Sequence, residues 1–288
     1  MRRRVFPALA WLIISPVALA QQPEGRPSRV GVLVIAHGGN NRWNSSVRKA
    51  VAKARLDVPV QVAFGMGMHP EEVRVFQESA DRLERQGIGK LVVIPLLVSS
   101  SSEVYRQYEY LVGRRADAEW PHAGSPLRLE VPVVMGRALD GDPVIADILL
   151  ERAQALSRSP KEETVLVVAH GPTADDDARQ WLGVMEQLAQ HVKADGGFRK
   201  VIPLLMWDDA PGALKEEANR RLREAVRRES EDGRVLVVPL LLASGGVERK
   251  IPKILSGLSY AYKEQTLLPH PKLSQWIADQ AAQLLKGE

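Results

Sequence analysis

Two histidines at the ends of similar apolar stretches could carry metal or acid–base chemistry. Residues 32–38 read VLVIAHG and residues 165–171 read VLVVAHG, so His37 and His170 each follow branched apolar residues and precede a glycine. Such stretches predict strands buried on both faces of a parallel sheet. Open α/β sheets bind ligands at the carboxyl ends of their strands, where a neutral imidazole can bind a divalent transition metal. A buried histidine hydrogen-bonded to a neighbouring loop is the alternative for either copy.

A carboxylate follows another of the predicted strands. Glu103 comes directly after four serines, residues 99–102, which end the apolar stretch LVVIPLLV at 91–98. Because the loops after parallel strands leave one edge of the sheet, the side chains of His37 and Glu103 can converge. The alternative for Glu103 is a first-turn helix residue favoured by the helix dipole, with Ser101 or Ser102 as the N-cap.

Both stretches recur, which indicates an internal repeat. The stretch at 91–98 has its counterpart in VLVVPLLL at 235–242, again followed by a loop of small residues, and the matching prolines Pro95 and Pro239 are 144 residues apart. Internal similarity of this kind predicts two like domains that face each other. The cleft between them is the natural ligand site.

The elements that would position these residues alternate regularly. Predicted strands lie at 30–36, 59–64, 90–97, 128–134, 164–169, 199–205, 234–242 and 264–268. Predicted helices lie at 42–56, 70–86, 102–113, 143–157, 173–194, 211–229, 247–258 and 272–285. This alternation favours parallel pairing with right-handed crossovers. We therefore expect an α/β fold of two similar parallel-sheet domains at 30–158 and 164–288, with a cleft between them.

The N-terminus has the pattern of a secretory signal. Three arginines at positions 2–4 precede an apolar region at 5–17 and the small-x-small site ALA at 18–20, so residues 1–20 are predicted to be removed. The pair Arg3-Arg4 also resembles a twin-arginine signal, which leaves the export route open. Residues 21–29 would form a polar linker. We expect a periplasmic or secreted protein without stable membrane insertion after cleavage, and the absence of cysteine suits an oxidising compartment.

Removal of this segment changes the charge balance. The whole chain has 39 Lys and Arg against 35 acidic residues, and the loss of the three signal arginines leaves 36 basic side chains. No basic stripe with interleaved aromatic residues replaces them. Nucleic acid is therefore not an expected partner.

These motifs resemble those of the class II chelatases, the CbiX-type sirohydrochlorin cobaltochelatases and the sirohydrochlorin ferrochelatases. The resemblance rests on the His-Gly strand ends, the VVIPLL strand at 92–97 with its small-residue loop, and the LPHP sequence at 268–271 before the last helix. It extends over almost the whole mature chain as two units.

The resemblance implies a metal site beside a tetrapyrrole. In that family, one histidine after the first strand and another after the Gly-Gly loop hold the metal. His37 matches the first, and Glu103 stands where the second is expected. A carboxylate oxygen is a reasonable ligand for Co²⁺ or Fe²⁺, and the related protoporphyrin ferrochelatases pair a histidine with a glutamate. In the second unit His170 matches, but the loop at 244–248 lacks a histidine. The resemblance therefore favours one complete site, in the first unit.

Other polar residues give weaker signals. His69, at the end of the second strand, is a candidate third ligand, with a surface N-cap region before Pro70 as the alternative. His170 is the other weak metal candidate. The three aspartates at 175–177 most simply complement a helix dipole. The WDD sequence at 207–209 predicts a turn and cap that opens onto the same edge of the sheet.

The activity implied by the resemblance is insertion of cobalt or iron into a sirohydrochlorin-type tetrapyrrole, a lyase reaction with the metal as substrate and no organic cofactor. His37 would bind the ion or accept a pyrrole proton, and Glu103 would supply the second ligand or base. Gly38 and the backbone N–H groups of the loop containing Ser100, Ser101 and Ser102 would position substrate carboxylates. Export raises the alternative of a non-enzymatic metal- or tetrapyrrole-binding protein derived from a chelatase.

Overall fold

Two four-stranded parallel sheets, each with flanking helices, make up the computed structural model, which describes residues 29–286. The signal predicted at 1–20 lies outside the described residues. The first unit contains β1 (Arg29–Ala36), α1 (Asn41–Ala54), β2 (Val60–Phe64), α2 (Pro70–Glu84), β3 (Ile88–Pro95), α3 (Glu103–Leu111), β4 (Val133–Met135) and α4 (Pro143–Gln154). The second contains β5 (Glu163–Ala169), α5 (Asp175–Gly196), β6 (Lys200–Leu205), α6 (Gly212–Asp232), β7 (Arg234–Leu240), α7 (Lys250–Ile254), β8 (Ala261–Tyr262) and α8 (Pro271–Lys286).

The two sheets have the same topology. Their strand orders are β2-β1-β3-β4 and β6-β5-β7-β8, and every paired strand is parallel to its neighbour. The strands that end at His37 and His170, β1 and β5, are therefore interior strands of their sheets. The predicted fold class, two similar parallel-sheet α/β domains with a cleft between them, is confirmed.

Strand β1 shows why these stretches are apolar at every position. Val32 and Val34 pack into the core on one face of the sheet, whereas Leu33 and Ile35 pack into a separate core on the other face. Successive side chains of a strand point to opposite faces, so a strand covered by helices on both sides has no polar face. The strand ends where the chain emerges from between the two helical layers, at the exposed His37.

The strand predicted at 128–134 is mostly wrong, because only Val133–Met135 forms β4. The backbone before it bonds to side chains of α2 instead of to a strand. Gln77 donates to the carbonyl oxygen of Arg128 at 2.8 Å and accepts from its N–H at 2.8 Å, and the N–H of Glu130 donates to Glu84 at 2.8 Å.

The strand predicted at 264–268 is also wrong, since β8 covers only Ala261–Tyr262. Leu267 and Leu268 do donate N–H groups to the carbonyl oxygens of Leu241 and Leu242, at 2.9 and 2.8 Å, but only past the end of β7. The helix predicted at 247–258 is likewise shorter, with α7 confined to Lys250–Ile254.

The two units exchange helices. Helix α4 of the first repeat packs against α5 and β7 of the second, and helix α8 of the second repeat packs against α1 and β3 of the first. Polar contacts join the exchanged parts: Trp276 donates from Nε1 to Asp142 at 3.0 Å, and Lys90 donates to the carbonyl oxygen of Leu284 at 3.0 Å. One core cluster accordingly contains side chains from both repeats.

Within residues 29–286, no helix combines the length and the apolar character that a bilayer crossing requires.

Candidate functional site

A cavity of about 560 Å³ lies between the two units at the carboxyl ends of their strands. The first unit contributes His37 and Glu103 to its lining, and the second contributes His170 and Asp209. Most of the remaining wall is apolar and includes Trp43, Met66, Leu97, Val104, Trp181, Leu241 and Val247. Both units therefore build one interdomain cavity, which places four ionisable side chains on apolar walls.

His37 presents a free ring nitrogen. Its Nδ1 atom lies 2.8 Å from the carbonyl oxygen of Gly38. Because a carbonyl oxygen can only accept, Nδ1 carries the proton and Nε2 keeps its lone pair. Gly38, which also lines the cavity, has φ +85°, and a Cβ atom there would stand 3.1 Å from the Cβ of Phe64. The turn that orients His37 therefore requires glycine.

Glu103 is the first residue of α3, and its two predicted roles coexist. Ser102 is the N-cap, since its Oγ accepts from the N–H of Tyr105 at 3.3 Å, while the Glu103 side chain lines the cavity. Burial, followed by the charge of Glu119, raises the pKa of Glu103 despite the opposing charge of Arg106. A carboxyl group with a raised pKa is better suited to accept a proton near neutral pH.

The serine loop is held by bonds of its own. The N–H and hydroxyl of Ser100 both bind the carboxylate of Asp140, at 2.7 to 2.9 Å, and Ser100 does not line the cavity. Ser101 and Ser102 do line it. Their N–H groups are already used, by the hydroxyl of Ser99 at 3.0 Å and the carbonyl oxygen of Ser100 at 2.9 Å. In this arrangement both N–H groups are therefore engaged within the loop.

His170 differs from His37 in its partners. Its Nδ1 lies 3.1 Å from the carbonyl oxygen of Gly171, and its Nε2 lies 2.9 Å from the carboxylate of Asp209. Burial alone would lower the pKa of His170, but the hydrogen bond and charge of Asp209 outweigh it, and the net shift is upward. The Nε2 atom of His170 is therefore engaged by a carboxylate.

Asp209 belongs to the turn after β6, which is fixed to the loop after β5. Trp207 donates its backbone N–H to the carbonyl oxygen of His170 at 2.8 Å and its indole N–H to that of Pro172 at 2.7 Å. Asp209 itself lines the cavity, with 73% of its side chain exposed. The sequence predicted a turn here, and the edge onto which it opens was the available signal that Asp209 would reach the cavity.

His69 stands apart from these residues. It is the exposed N-cap residue of α2, its side chain makes no capping bond, and it does not line the cavity. The loop that precedes it is held by Tyr108, whose hydroxyl donates to the carbonyl oxygen of Gly65 at 2.6 Å, and by Gln107, which donates to that of Gly67 at 2.9 Å. This geometry favours the surface alternative.

An ion-pair cluster joins the units beside the cavity. The Arg106 guanidinium donates to Glu119 at 2.8 and 3.0 Å and to Asp177 of α5 at 2.8 and 3.0 Å. The buried Asp177 thus does more than complement the helix dipole. Among the described residues, no Lys or Arg lines the cavity, and no three His, Asp or Glu side chains stand close enough to enclose a metal ion.

A family model described as CbiX matches this chain twice, over residues 31–156 and 164–284. The two matches coincide with the two units. Among curated proteins, none has a matching sequence.

Solved structures share the fold across nearly the whole chain. SirB from Bacillus subtilis with Fe³⁺ has a TM-score of 0.59 and 16% identity, covering 90% of this chain and 98% of SirB. The sirohydrochlorin chelatase SirB from Bacillus subtilis subspecies spizizenii in complex with cobalt has a TM-score of 0.60 and 13% identity, covering 90% and 96%. The structure of CbiX, described as the terminal enzyme for biosynthesis of siroheme in denitrifying bacteria, has a TM-score of 0.54 and 15% identity, covering 88% and 98%. At these identities the likeness shows a shared fold.

Proposed function

The chain belongs to the CbiX family, and from this premise we propose that it inserts a divalent metal ion, Co²⁺ or Fe²⁺, into a sirohydrochlorin-type tetrapyrrole. The observation that carries the proposal is the pairing of His37 and Glu103 on one interdomain cavity. An imidazole with a free nitrogen and a carboxyl group with a raised pKa are the groups that such a reaction needs.

The metal ion is a substrate of this reaction, and His37 would bind it through Nε2. Insertion replaces two pyrrole N–H protons with the ion, so a proton acceptor must stand near the macrocycle. Glu103 would take this role or complete the first pair of ligands. Its position at the start of α3 places it in the positive end of the helix dipole, which favours the ionised form and opposes the effect of burial.

The walls of the cavity suit a flat macrocycle. Trp43 and Trp181 are almost fully buried and line it together with leucine and valine side chains. A volume of about 560 Å³ lies within the usual range for small-molecule sites. Since the serine loop N–H groups are engaged, the substrate carboxylates would point out of the cavity towards water.

The decisive experiment is a turnover assay on mature protein, residues 21–288. Sirohydrochlorin is mixed with Co²⁺, or anaerobically with Fe²⁺, and the absorbance change is followed against the rate in buffer. We expect several product molecules per protein molecule, with His37→Ala inactive and the surface variant His122→Ala as active as the parent. A rate equal to that in buffer would refute the chelatase proposal.

The signal-like sequence at 1–20 supports a second candidate function. A protein outside the cytoplasm could use the same cavity to bind a metal or tetrapyrrole without inserting the metal. In the turnover assay, this candidate predicts tight stoichiometric binding with no acceleration.

We also propose that the protein is periplasmic or secreted, because the sequence at 1–20 has the three parts of a signal peptide. The mature chain should begin at Gln21 and fractionate outside the cytoplasm. Mass spectrometry of the fractionated protein checks both points, and an intact Met1 on cytoplasmic protein would reject the proposal.

A further inference from the structure

We propose that Arg106 is a positioning residue for metal insertion. Its two ion pairs clasp α3, which carries Glu103, to α5, which carries Trp181, and so fix the width of the cavity between these two walls. This inference rests on the proposed function. It gives a role to a side chain that does not line the cavity and would contact neither the metal ion nor the macrocycle.

Arg106 bridges two carboxylates that come from different units. Its Nε and Nη2 atoms donate to the two oxygens of Glu119 at 3.0 and 2.8 Å, and its Nη1 atom donates to both oxygens of Asp177 at 2.8 and 3.0 Å. Glu119 follows α3 in the first unit, whereas the buried Asp177 lies in the first turn of α5 in the second. Since the planar guanidinium fork bonds a carboxylate in a defined orientation, these pairs orient α3 against α5 as well as holding the two together.

The clasp acts directly beside the cavity. Arg106 is one helical turn from Glu103 in α3, so the two side chains lie on the same face of that helix. Asp177 is likewise one turn from Trp181 in α5. Glu103 and Trp181 both line the cavity. The ion pair therefore joins the two helical turns whose spacing sets the distance between the carboxylate and the aromatic wall.

Glu119 is itself fixed to the first unit, which gives the clasp a firm base. The fully buried side chain of Gln107 accepts from the N–H of Glu119 at 2.8 Å and donates to the carbonyl oxygen of Gly67 at 2.9 Å. Gly67 follows Met66, another residue of the cavity wall. A continuous chain of hydrogen bonds thus runs from the loop after β2 through Arg106 to α5 of the second unit.

The opposite edge of the cavity is joined differently. There the side chain of Asn40 donates from Nδ2 to the carbonyl oxygen of Gly245 at 3.1 Å, which is a neutral contact between the units. The 144-residue repeat offset places Lys250 at the position of Arg106, but Lys250 pairs with Asp208 of its own unit. Of the two edges, as residues 29–286 show them, only the one between α3 and α5 is therefore clasped by ion pairs.

The exchanged helices allow Arg106 to be replaced without separating the units. Helices α4 and α8 hold the two sheets together through a shared apolar core. Loss of the clasp should therefore shift α3 against α5 and leave the fold intact. A shift of about 1 Å in a reacting group can lower a rate by about a hundredfold.

The test combines steady-state metallation of sirohydrochlorin by the mature chain with calorimetry of Co²⁺ alone. Arg106→Lys keeps the positive charge but loses the fork, so we expect kcat to fall by about tenfold or more. The Co²⁺ affinity without tetrapyrrole should stay at the parent value, because His37 and Glu103 both belong to the first unit. Asp177→Asn, which weakens only the link to the second unit, should lower kcat in the same way, with little further loss when combined with Arg106→Lys.

The matched control is Arg220→Lys. Arg220 also bonds two carboxylates, those of Glu217 and Glu224, but all three residues lie in α6, away from the cavity. This variant loses a comparable fork and should keep the parent kcat.

A distance measurement separates positioning from a general effect on the fold. The chain has no cysteine, so Ala116→Cys and Ala174→Cys create two unique sites for spin labels. Both positions are exposed, and they lie three residues before Glu119 and Asp177, one on each side of the clasp. Pulsed electron paramagnetic resonance should give a narrow distance distribution in the labelled parent and a shifted or broader one after Arg106→Lys. A residue that only stabilised the fold would change the unfolding temperature and leave this distance unaltered.

The outcomes distinguish this inference from the proposed function. If the parent turns over and Arg106→Lys keeps the parent kcat, the positioning role is wrong and the chelatase proposal stands. A lower kcat with an unchanged distance distribution would also overturn it, since the loss would not come from position. If the parent gives no acceleration over buffer, the chelatase proposal itself is overturned, and the positioning role falls with it.

Discussion

Two histidines in nearly identical sequence contexts have different chemistry in this protein. His37 and His170 both follow an interior strand and both place Nδ1 against the carbonyl oxygen of the next glycine. The difference lies at Nε2, which Asp209 occupies in His170. A carboxylate bonded to the second nitrogen raises the pKa of an imidazole and so favours its protonated form, whereas a free Nε2 can bind a metal ion. The chemical role of each histidine is therefore decided by whether another loop supplies a partner, and not by the local sequence.

Variants of the first-unit pair should lose most of the metal affinity. His37→Ala and Glu103→Ala should each weaken Co²⁺ binding strongly in calorimetry, with little further loss when combined, because the two side chains serve one ion. His170→Ala should have a much smaller effect, since the Nε2 atom of His170 is already engaged by Asp209. A result in which His170→Ala is the most damaging of the three would contradict the assignment of the site to the first unit.

Glu103 also predicts the direction in which Co²⁺ affinity changes with pH. Burial holds the pKa of Glu103 above its ordinary value of 4.5, so this carboxyl group becomes protonated at a higher pH than an exposed glutamate. Only the ionised form binds metal. Co²⁺ affinity in the parent should therefore fall as pH drops through this raised pKa, and the glutamate step should be missing in Glu103→Gln. An identical pH profile for both proteins would show that Glu103 does not bind the ion.

The position of a side chain could be predicted from the sequence where it depends only on which strand the residue follows. His37 and Glu103 follow neighbouring strands, β1 and β3, and they meet on one cavity as predicted from that order. Ser100 could not be placed in this way, because its orientation depends on Asp140, forty residues further along the chain. The contact between Asp209 and His170 was missed for a related reason: a turn of aspartates has the same sequence whether it caps a helix or lies against a histidine.

Elements were predictable in proportion to how much of them is buried. The interior strands β1, β3, β5 and β7 are buried along most of their length, so each contains a continuous apolar run in the sequence. Helix starts were marked by caps such as Asn40 and Ser102, whose side chains accept backbone N–H bonds. These signals are local and need no knowledge of tertiary contacts.

The edge strands β4 and β8 carried no such signal. They have three and two residues, and each pairs with only one neighbouring strand. Next to β4, the side chain of Gln77 bonds both backbone groups of Arg128 and takes the place of strand pairing. A contact between residues 51 positions apart cannot be read from local periodicity, which explains why the predicted strands were too long or displaced.

At the scale of the whole molecule, the repeat in sequence is not the unit of packing. Each sheet is completed by a helix from the other repeat, α8 on the first sheet and α4 on the second. Periodicity predicts that a helix is amphipathic but not which sheet covers its apolar side, so this exchange was invisible in the sequence. It holds the two walls of the cavity in a fixed relation, which a site shared between units requires.

The exchange predicts that neither repeat folds stably by itself. Residues 21–158 lack α8, which buries Leu273, Trp276 and Ile277 in the full chain, and residues 159–288 lack α4, which buries Ile145, Ile148 and Leu149. Each buried aliphatic side chain contributes roughly 1.5–3 kcal/mol, so a lost helix removes an amount comparable with the whole stability of a domain, about 5–15 kcal/mol.

Separately produced halves should unfold without a cooperative transition in a urea titration. A full chain cut by a protease within 157–163 is the matched control: it keeps both helices and should unfold cooperatively, as should the two halves after refolding together. If residues 21–158 alone gave a sharp transition at the urea midpoint of the full chain, the exchanged helix would not be what stabilises the first unit.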